Sequence, residues 1–218
     1  MQRTAELRSI GAAIMTPFRR KLLLTAHVTA SVGWLGALAV FFAHALASVL
    51  SQTDQVVQAA SLAMGLTAWF VIMPLSIATV VTGVVQALVT AWGLVRHYWI
   101  LFKLVLTGIA TAVLLLKMQP ISDLADAAAQ TGFTSGDLLS LRKSLTLHAA
   151  GGLLVLLAAV VLAVYKPAGL TRFGAKTESA GVPVETPGWA KIFGLVLGIL
   201  LVLVAGMAVF GRHGPGAH

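Results

Sequence analysis

Residues 22–53 read LLLTAHVTASVGWLGALAVFFAHALASVLSQT and contain no Asp, Glu, Lys or Arg. Three further stretches share this property, at residues 55–95, 144–165 and 192–211. A bilayer core of about 30 Å is crossed by about 20 apolar helical residues. Each stretch is long enough to cross it, so the sequence predicts a polytopic membrane protein.

The composition excludes several classes of protein. Hydrophobic residues make up 58% of the 218-residue chain and charged residues 10%, whereas soluble domains average about 25% charged residues. A water-soluble enzyme of this size could not bury so much apolar surface. The chain has no cysteine, which excludes disulfides, thiolate metal sites and iron–sulfur clusters.

We predict an all-α bundle in a single membrane domain covering residues 1–218. Helices are expected because the apolar runs are continuous, whereas a barrel needs short alternating segments. Residues 55–95 are interpreted as one long bent helix, since Pro74 can kink a membrane helix without ending it. The expected spans are about 22–49, 61–90, 98–118, 144–164 and 191–210, with an outer loop at 119–143 and an inner loop at 166–190.

The distribution of Lys and Arg predicts a cytoplasmic N-terminus and an external C-terminus, because cytoplasmic segments carry more of both residues. Five spans put eleven of the fifteen on the inner side. The inner residues are Arg3, Arg8, Arg19, Arg20, Lys21, Arg96, Lys103, Lys166, Arg172, Lys176 and Lys191, and the outer ones are Lys117, Arg142, Lys143 and Arg212. Topology therefore explains the net charge of +8, and the expected surroundings are a lipid bilayer rather than nucleic acid.

Ionisable residues inside membrane spans are costly and usually functional. Five candidates lie within the predicted spans or directly beside one, namely His27, His44, His97, Lys103 and His148. At a rise of 1.5 Å per residue, they separate into an inner and an outer group. His27, His97 and Lys103 form the inner group, and His44 and His148 form the outer one.

Imidazoles at matching depths on different helices are typical of a b-type haem site. We expect His27 with Lys103 or His97 at an inner site, and His44 with His148 at an outer one. The metal ligands among them would be His27, His44 and His148. Arg142 is positioned to receive a propionate. Trp34 is a further cofactor-binding candidate because seven residues, about two turns, separate it from His27.

Two other functions remain open. A copper transport or resistance protein is the first, because imidazoles and thioethers suit Cu(I) and Met64 and Met118 are expected near the outer histidines. A non-catalytic membrane subunit or assembly factor is the second, with histidines that only hydrogen-bond between helices. Under that interpretation His97 lies at the interface and Lys103 extends its ammonium to the headgroups. A membrane redox partner or a second copy of the chain is an expected partner.

Three stretches carry a family resemblance: LLLTAHVTASVGWLGA at Leu22–Ala37, WILFKLVL at Trp99–Leu106 and LHAAGGLL at Leu147–Leu154. Over most of its length the chain resembles an uncharacterised bacterial integral-membrane family, a domain of unknown function, with a His…Trp-x-Gly first helix. It is more distantly similar to copper-resistance protein D and to HemJ-type membrane protoporphyrinogen oxidase. The resemblance implies a bacterial inner-membrane protein. Similarity to the oxidases implies bound haem b and a functional His–Lys pair at His27 and Lys103, with Lys103 catalytic.

Overall fold

The computed structural model describes residues 16–89, 94, 96–171 and 186–210, with side chains described as far as Ile199. Within these residues the fold is helical and contains no strand. The helices are α1 (Pro17–Leu50), α2 (Asp54–Thr67), α3 (Met73–Val89), α4 (Tyr98–Ala128), α5 (Leu139–Tyr165) and α6 (Gly188–Phe210), and a π-helical segment (Ala68–Ile72) joins α2 to α3. The predicted all-α class is confirmed for the part of the chain described.

Four rods in the described ranges are long and apolar enough to cross a membrane. They are α1, the continuous rod Asp54–Val89, α4 and α5. Residues 54–89 therefore form one rod through the π segment, as the sequence analysis predicted. In α6 the apolar part with described side chains is shorter, Gly188–Ile199.

The rods extend beyond the apolar runs because local caps and tertiary packing lengthen them. α1 begins at Pro17 rather than Leu22, and Thr16 accepts a hydrogen bond from the backbone N–H of Arg19 at 3.4 Å. Proline at the first helical position costs nothing there, since its missing N–H would be unpaired. The second rod begins at Asp54 rather than Ser61, where a carboxylate favours a helix N-terminus.

The loop predicted at 119–143 is shorter in the structure, because α4 continues through Pro120 to Ala128. Ile121, Leu124 and Ala128 are 3%, 0% and 0% exposed and repeat at helical spacing. Their burial between helices outweighs the hydrogen bond that proline cannot donate. The connection between α4 and α5 thus spans only residues 129–138. Residues 1–15 and most of the predicted inner loop 166–190 lie outside the described residues.

The four rods form a square bundle. α1 packs beside α5 on one side and beside α2 and α3 on the other, and α4 has the same two neighbours. α1 and α4 therefore lie on a diagonal. α6 packs outside this square against α4, through the aromatic rings of Tyr98, Phe102, Trp189 and Phe193. We call the end where α1 begins the proximal end and the end where α1 finishes the distal end.

Candidate functional site

His27 lies inside the bundle toward its proximal end. It is 6% exposed, and its ring packs against α3 at Gly83. A Cβ at position 83 would lie 3.0 Å from Cε1 of His27, which is closer than side-chain atoms normally approach. Glycine at this position therefore makes room for the imidazole.

A chain of hydrogen bonds fixes the protonation of this imidazole. The hydroxyl of Thr82 donates to the carbonyl of Ala78 at 2.5 Å, so its oxygen is left to accept from Nδ1 of His27 at 3.0 Å. Nδ1 then carries the ring proton, and Nε2 presents a lone pair. Nζ of Lys103 donates to that lone pair at 3.3 Å. Both ring nitrogens of His27 and the hydroxyl of Thr82 are thereby paired, as burial in a low dielectric requires.

The contact between His27 and Lys103 crosses the diagonal of the bundle, because the two residues belong to α1 and α4. The structure thus brings together the pair that the family resemblance singled out. The carboxylates in the described ranges are Asp54, Asp123, Asp126 and Asp137, all toward the distal end. Lys103 therefore has an imidazole rather than a carboxylate beside it.

A cavity of about 250 Å³ opens between α1, α4, α5 and the π segment. Its wall is apolar, and Trp34, Phe41 and Leu145 contribute to it. Two of the lining residues are titratable, Lys117 and His148. Two predicted cofactor-binding residues, Trp34 and His148, therefore share one cavity.

His148 is held by its own helix. Its Nδ1 donates to the carbonyl of Ser144 at 2.7 Å, because a carbonyl can only accept. Nε2 then has the lone pair, and no described residue hydrogen-bonds to it. The imidazole is oriented and keeps one nitrogen available.

Lys117 is a residue of this cavity that was not predicted from the sequence as part of a site. It lines the same cavity as His148, and its ammonium makes no hydrogen bond or ion pair with the described residues. From the sequence, Lys117 was predicted only to be one of the four Lys and Arg residues on the outer side. The available signal was its position within an otherwise apolar run, LLLKM at residues 114–118.

The His27–Lys103 pair lies on the proximal side of the cavity, on the same faces of α1 and α4 that line it. Trp34 follows His27 by seven residues and Ala110 follows Lys103 by seven, and both of these residues line the cavity. Seven residues are about two turns and about 10 Å along a helix. The pair is therefore about two turns from the proximal wall of the cavity.

Arg142 is fully buried and serves the backbone. Its terminal nitrogens donate to the carbonyls of Ser48, in the last turn of α1, and Ser135, in the α4–α5 connection. These bonds satisfy a helix carbonyl that would otherwise have no partner. The predicted role as a propionate partner thus competes with a structural one that already engages both terminal nitrogens.

The remaining candidates lie apart from the cavity wall. His44 does not line it, and Nδ1 of His44 is buried with no partner among the described residues. His97 precedes α4, its backbone pairs with that of Leu170, and its ring lies 6.5 Å from that of Trp99. The structure does not bring either residue into the cavity with His148.

No group of three or more His, Cys, Asp or Glu side chains that could hold a metal ion occurs within the described part of the chain. Any metal site built from these residues therefore uses fewer such side chains. Comparison of the chain with protein-family models, curated proteins and solved structures gave no match. The proposals below accordingly depend on the geometry of the chain's own residues.

Proposed function

We propose that this protein binds haem b within the bilayer and has a redox or porphyrin-related role, with His148 as the iron ligand. The observation that carries the proposal is the available Nε2 of His148 beside an apolar cavity. Metal-ligating histidines usually donate their other ring N–H to a carbonyl or carboxylate, which fixes the tautomer and the ring orientation. Nδ1 of His148 makes such a bond to Ser144.

The lining of the cavity suits an apolar ligand better than a polar one. Trp34, Phe41 and Val155 give it aromatic and aliphatic walls. Its volume of about 250 Å³ is below the usual range of ligand pockets, about 300–1,000 Å³, so the cavity would enclose only part of a haem and the rest would lie outside it. Bound haem would supply one-electron chemistry, and His148 would hold its iron.

We propose that Lys103, held by His27, would take up one proton from the proximal side when a membrane redox partner passes one electron to the bound haem, and would release that proton when the haem passes the electron on. A change of charge in an apolar cavity is costly unless a proton moves nearby. Lys103 donates to His27 at 3.3 Å, and the pair lies about two turns from the cavity along both helices. Lys103, the predicted catalytic residue, would then act through proton transfer.

For the topology we propose five spans, with α6 as the fifth, a cytoplasmic N-terminus and an external C-terminus in a bacterial inner membrane. Four apolar rods support a multi-pass membrane protein. The excess of Lys and Arg expected on the inner side supports the orientation. A membrane redox partner or a second copy remains a proposed partner.

The test is the spectrum of protein purified in detergent after expression with added haem. We expect a haem Soret band in the wild type and its loss in His148→Ala. His44→Ala is the matched control, because His44 does not line the cavity, and we expect it to retain the band. Loss of the band in His44→Ala as well would favour the prediction from the sequence, in which His44 and His148 bind the same haem.

A wild-type protein that binds no haem would contradict the proposal. If that colourless protein bound Cu(I), the copper function would be favoured; Met64 and Met118 lie in one buried cluster, although neither sulfur lines the cavity. A colourless protein without metal would favour the membrane subunit or assembly factor.

A further inference from the structure

The mouth of the cavity lies on the outer surface of α5. Two of the lining residues are exposed, Leu147 at 61% and Gly151, which follows it by one turn on the same face. On the inner wall, Trp34 and Leu145 are each 2% exposed. The cavity therefore runs from a buried wall to an opening on the side of the bundle.

The surface around this opening is apolar. Leu154 continues the exposed face of α5 at 69% exposure, and Leu116 on α4 is 63% exposed. Such surface on a membrane-spanning rod faces acyl chains rather than water. The opening therefore leads into the lipid.

Lys117 stands at the rim, where the surface of α4 changes from apolar to polar. Leu115 and Leu116 precede it as exposed apolar residues. Gln119 follows, exposed, and its amide donates to the carboxylate of Asp123 at 2.8 Å. This change marks the level at which a membrane helix reaches the headgroups, where the ammonium of a lysine is well solvated.

Resting on the proposed function, we infer that the haem enters the cavity sideways from the lipid, between Leu147 and Gly151 of α5 and Lys117 of α4. Lys117 binds one of its propionates at the headgroup level. Haem is an apolar ring with two carboxylates on one edge, and the site has the complementary form. Its wall is apolar, and an ammonium without a described protein partner lies at its rim.

Blocking the mouth tests the route of entry. A Cβ at Gly151 would meet nothing within 4 Å, so Gly151→Leu fills open space without disturbing the packing. Gly36→Leu is the matched control, because Gly36 on α1 is equally open and does not line the cavity. Purified apoprotein in phosphatidylcholine vesicles is mixed with haem-loaded phosphatidylcholine vesicles, and the His148-dependent Soret change is followed. We expect Gly151→Leu to slow uptake at least about tenfold and Gly36→Leu to match the wild type.

Removing the ammonium tests the propionate contact. Lys117→Met keeps the bulk of the side chain and loses the charge, whereas Lys117→Arg keeps the charge. Equilibrium binding is measured with haem and with haem dimethyl ester, which lacks free carboxylates. We expect wild type and Lys117→Arg to bind haem about tenfold more tightly than the ester, and Lys117→Met to bind both equally.

The outcomes separate this inference from the proposed function. If wild type acquires a Soret band that His148→Ala lacks, while Gly151→Leu takes up haem at the wild-type rate, sideways entry is overturned and haem binding stands. If Lys117→Met still prefers haem over the ester, the propionate contact is overturned. If the wild type takes up no haem, both the function and the inference fail.

Discussion

A neutral imidazole carries one donor and one acceptor, and His27 uses both. Lys103 can only donate, and the hydroxyl of Thr82 has its proton engaged by Ala78. A side chain placed between them must therefore donate on one side and accept on the other. His27 meets this requirement and links α4, α1 and α3 through the centre of the bundle.

Removing either of the two hydrogen bonds to His27 should destabilise the fold. Lys103→Met removes the partner of Nε2, and Thr82→Val removes the partner of Nδ1. We expect each change to lower the free energy of unfolding by about 1 kcal/mol, because interhelical hydrogen bonds in membranes are individually modest. Reversible unfolding in mixed micelles measures the effect.

Thr82→Ser keeps the hydroxyl and is expected to unfold like the wild type. Thr29→Val serves as the control for the Thr-to-Val change, because Thr29 is exposed on α1. If Thr82→Val were no less stable than Thr29→Val, the hydrogen bond to Nδ1 would contribute nothing to the fold.

At the scale of single residues, part of the site was predicted from the sequence. The depths of His27 and Lys103 follow from the rise of a helix, and their pairing was predicted from these depths and from the family resemblance. Lys117 was missed because depth alone does not say which way a side chain faces. Thr82 and Gly83 were missed because they look like ordinary helix-packing residues until the ring of His27 is placed beside them.

At the scale of the elements, the rod Asp54–Val89 is interrupted by a π-helical turn. Its five residues include Trp69, whose indole donates to Ser122 of α4 at 2.9 Å, and Ile72, which lines the cavity. A π bulge inserts an extra residue into an α-helix and is frequent at functional sites. The bulge lets α2 and α3 each present a buried face while both belong to one rod.

Deleting Phe70 should convert the bulge to a regular turn and keep the fold. Its side chain is 77% exposed, so little packing is lost. Deleting Ile77, which is 44% exposed in α3, removes a residue from a regular helix and rotates the preceding part of the rod by about 100°. We expect thermal melting in detergent to show a folded protein for the first deletion and an unfolded one for the second.

Equal loss of folding in both deletions would contradict the interpretation of the bulge as an inserted residue. Deletion of Phe70 would also move Trp69 relative to Ile72. Haem binding by the folded variant therefore reports whether the bulge shapes the cavity.

At the scale of the whole molecule, topology can be tested directly because the chain has no cysteine. Single cysteines at Gln52, Gly136 and Ala217 should react with a membrane-impermeant maleimide in intact spheroplasts, whereas one at Ala168 should react only after lysis. This pattern follows from five spans with a cytoplasmic N-terminus. Protection of Ala217→Cys together with labelling of Gln52→Cys and Gly136→Cys would leave four spans and place α6 on the membrane surface.

The sequence by itself determined the class of protein and the helices, because charge-free runs long enough to cross a bilayer are a local property of the chain. It also determined the depth of each ionisable residue along its helix. Only the tertiary structure decided that α1 and α4 face each other across a diagonal, that His148 shares a cavity with Lys117 rather than with His44, and that α4 continues through Pro120. These features depend on how each helix is rotated about its own axis, and that rotation is set by side chains packing between helices distant in the sequence.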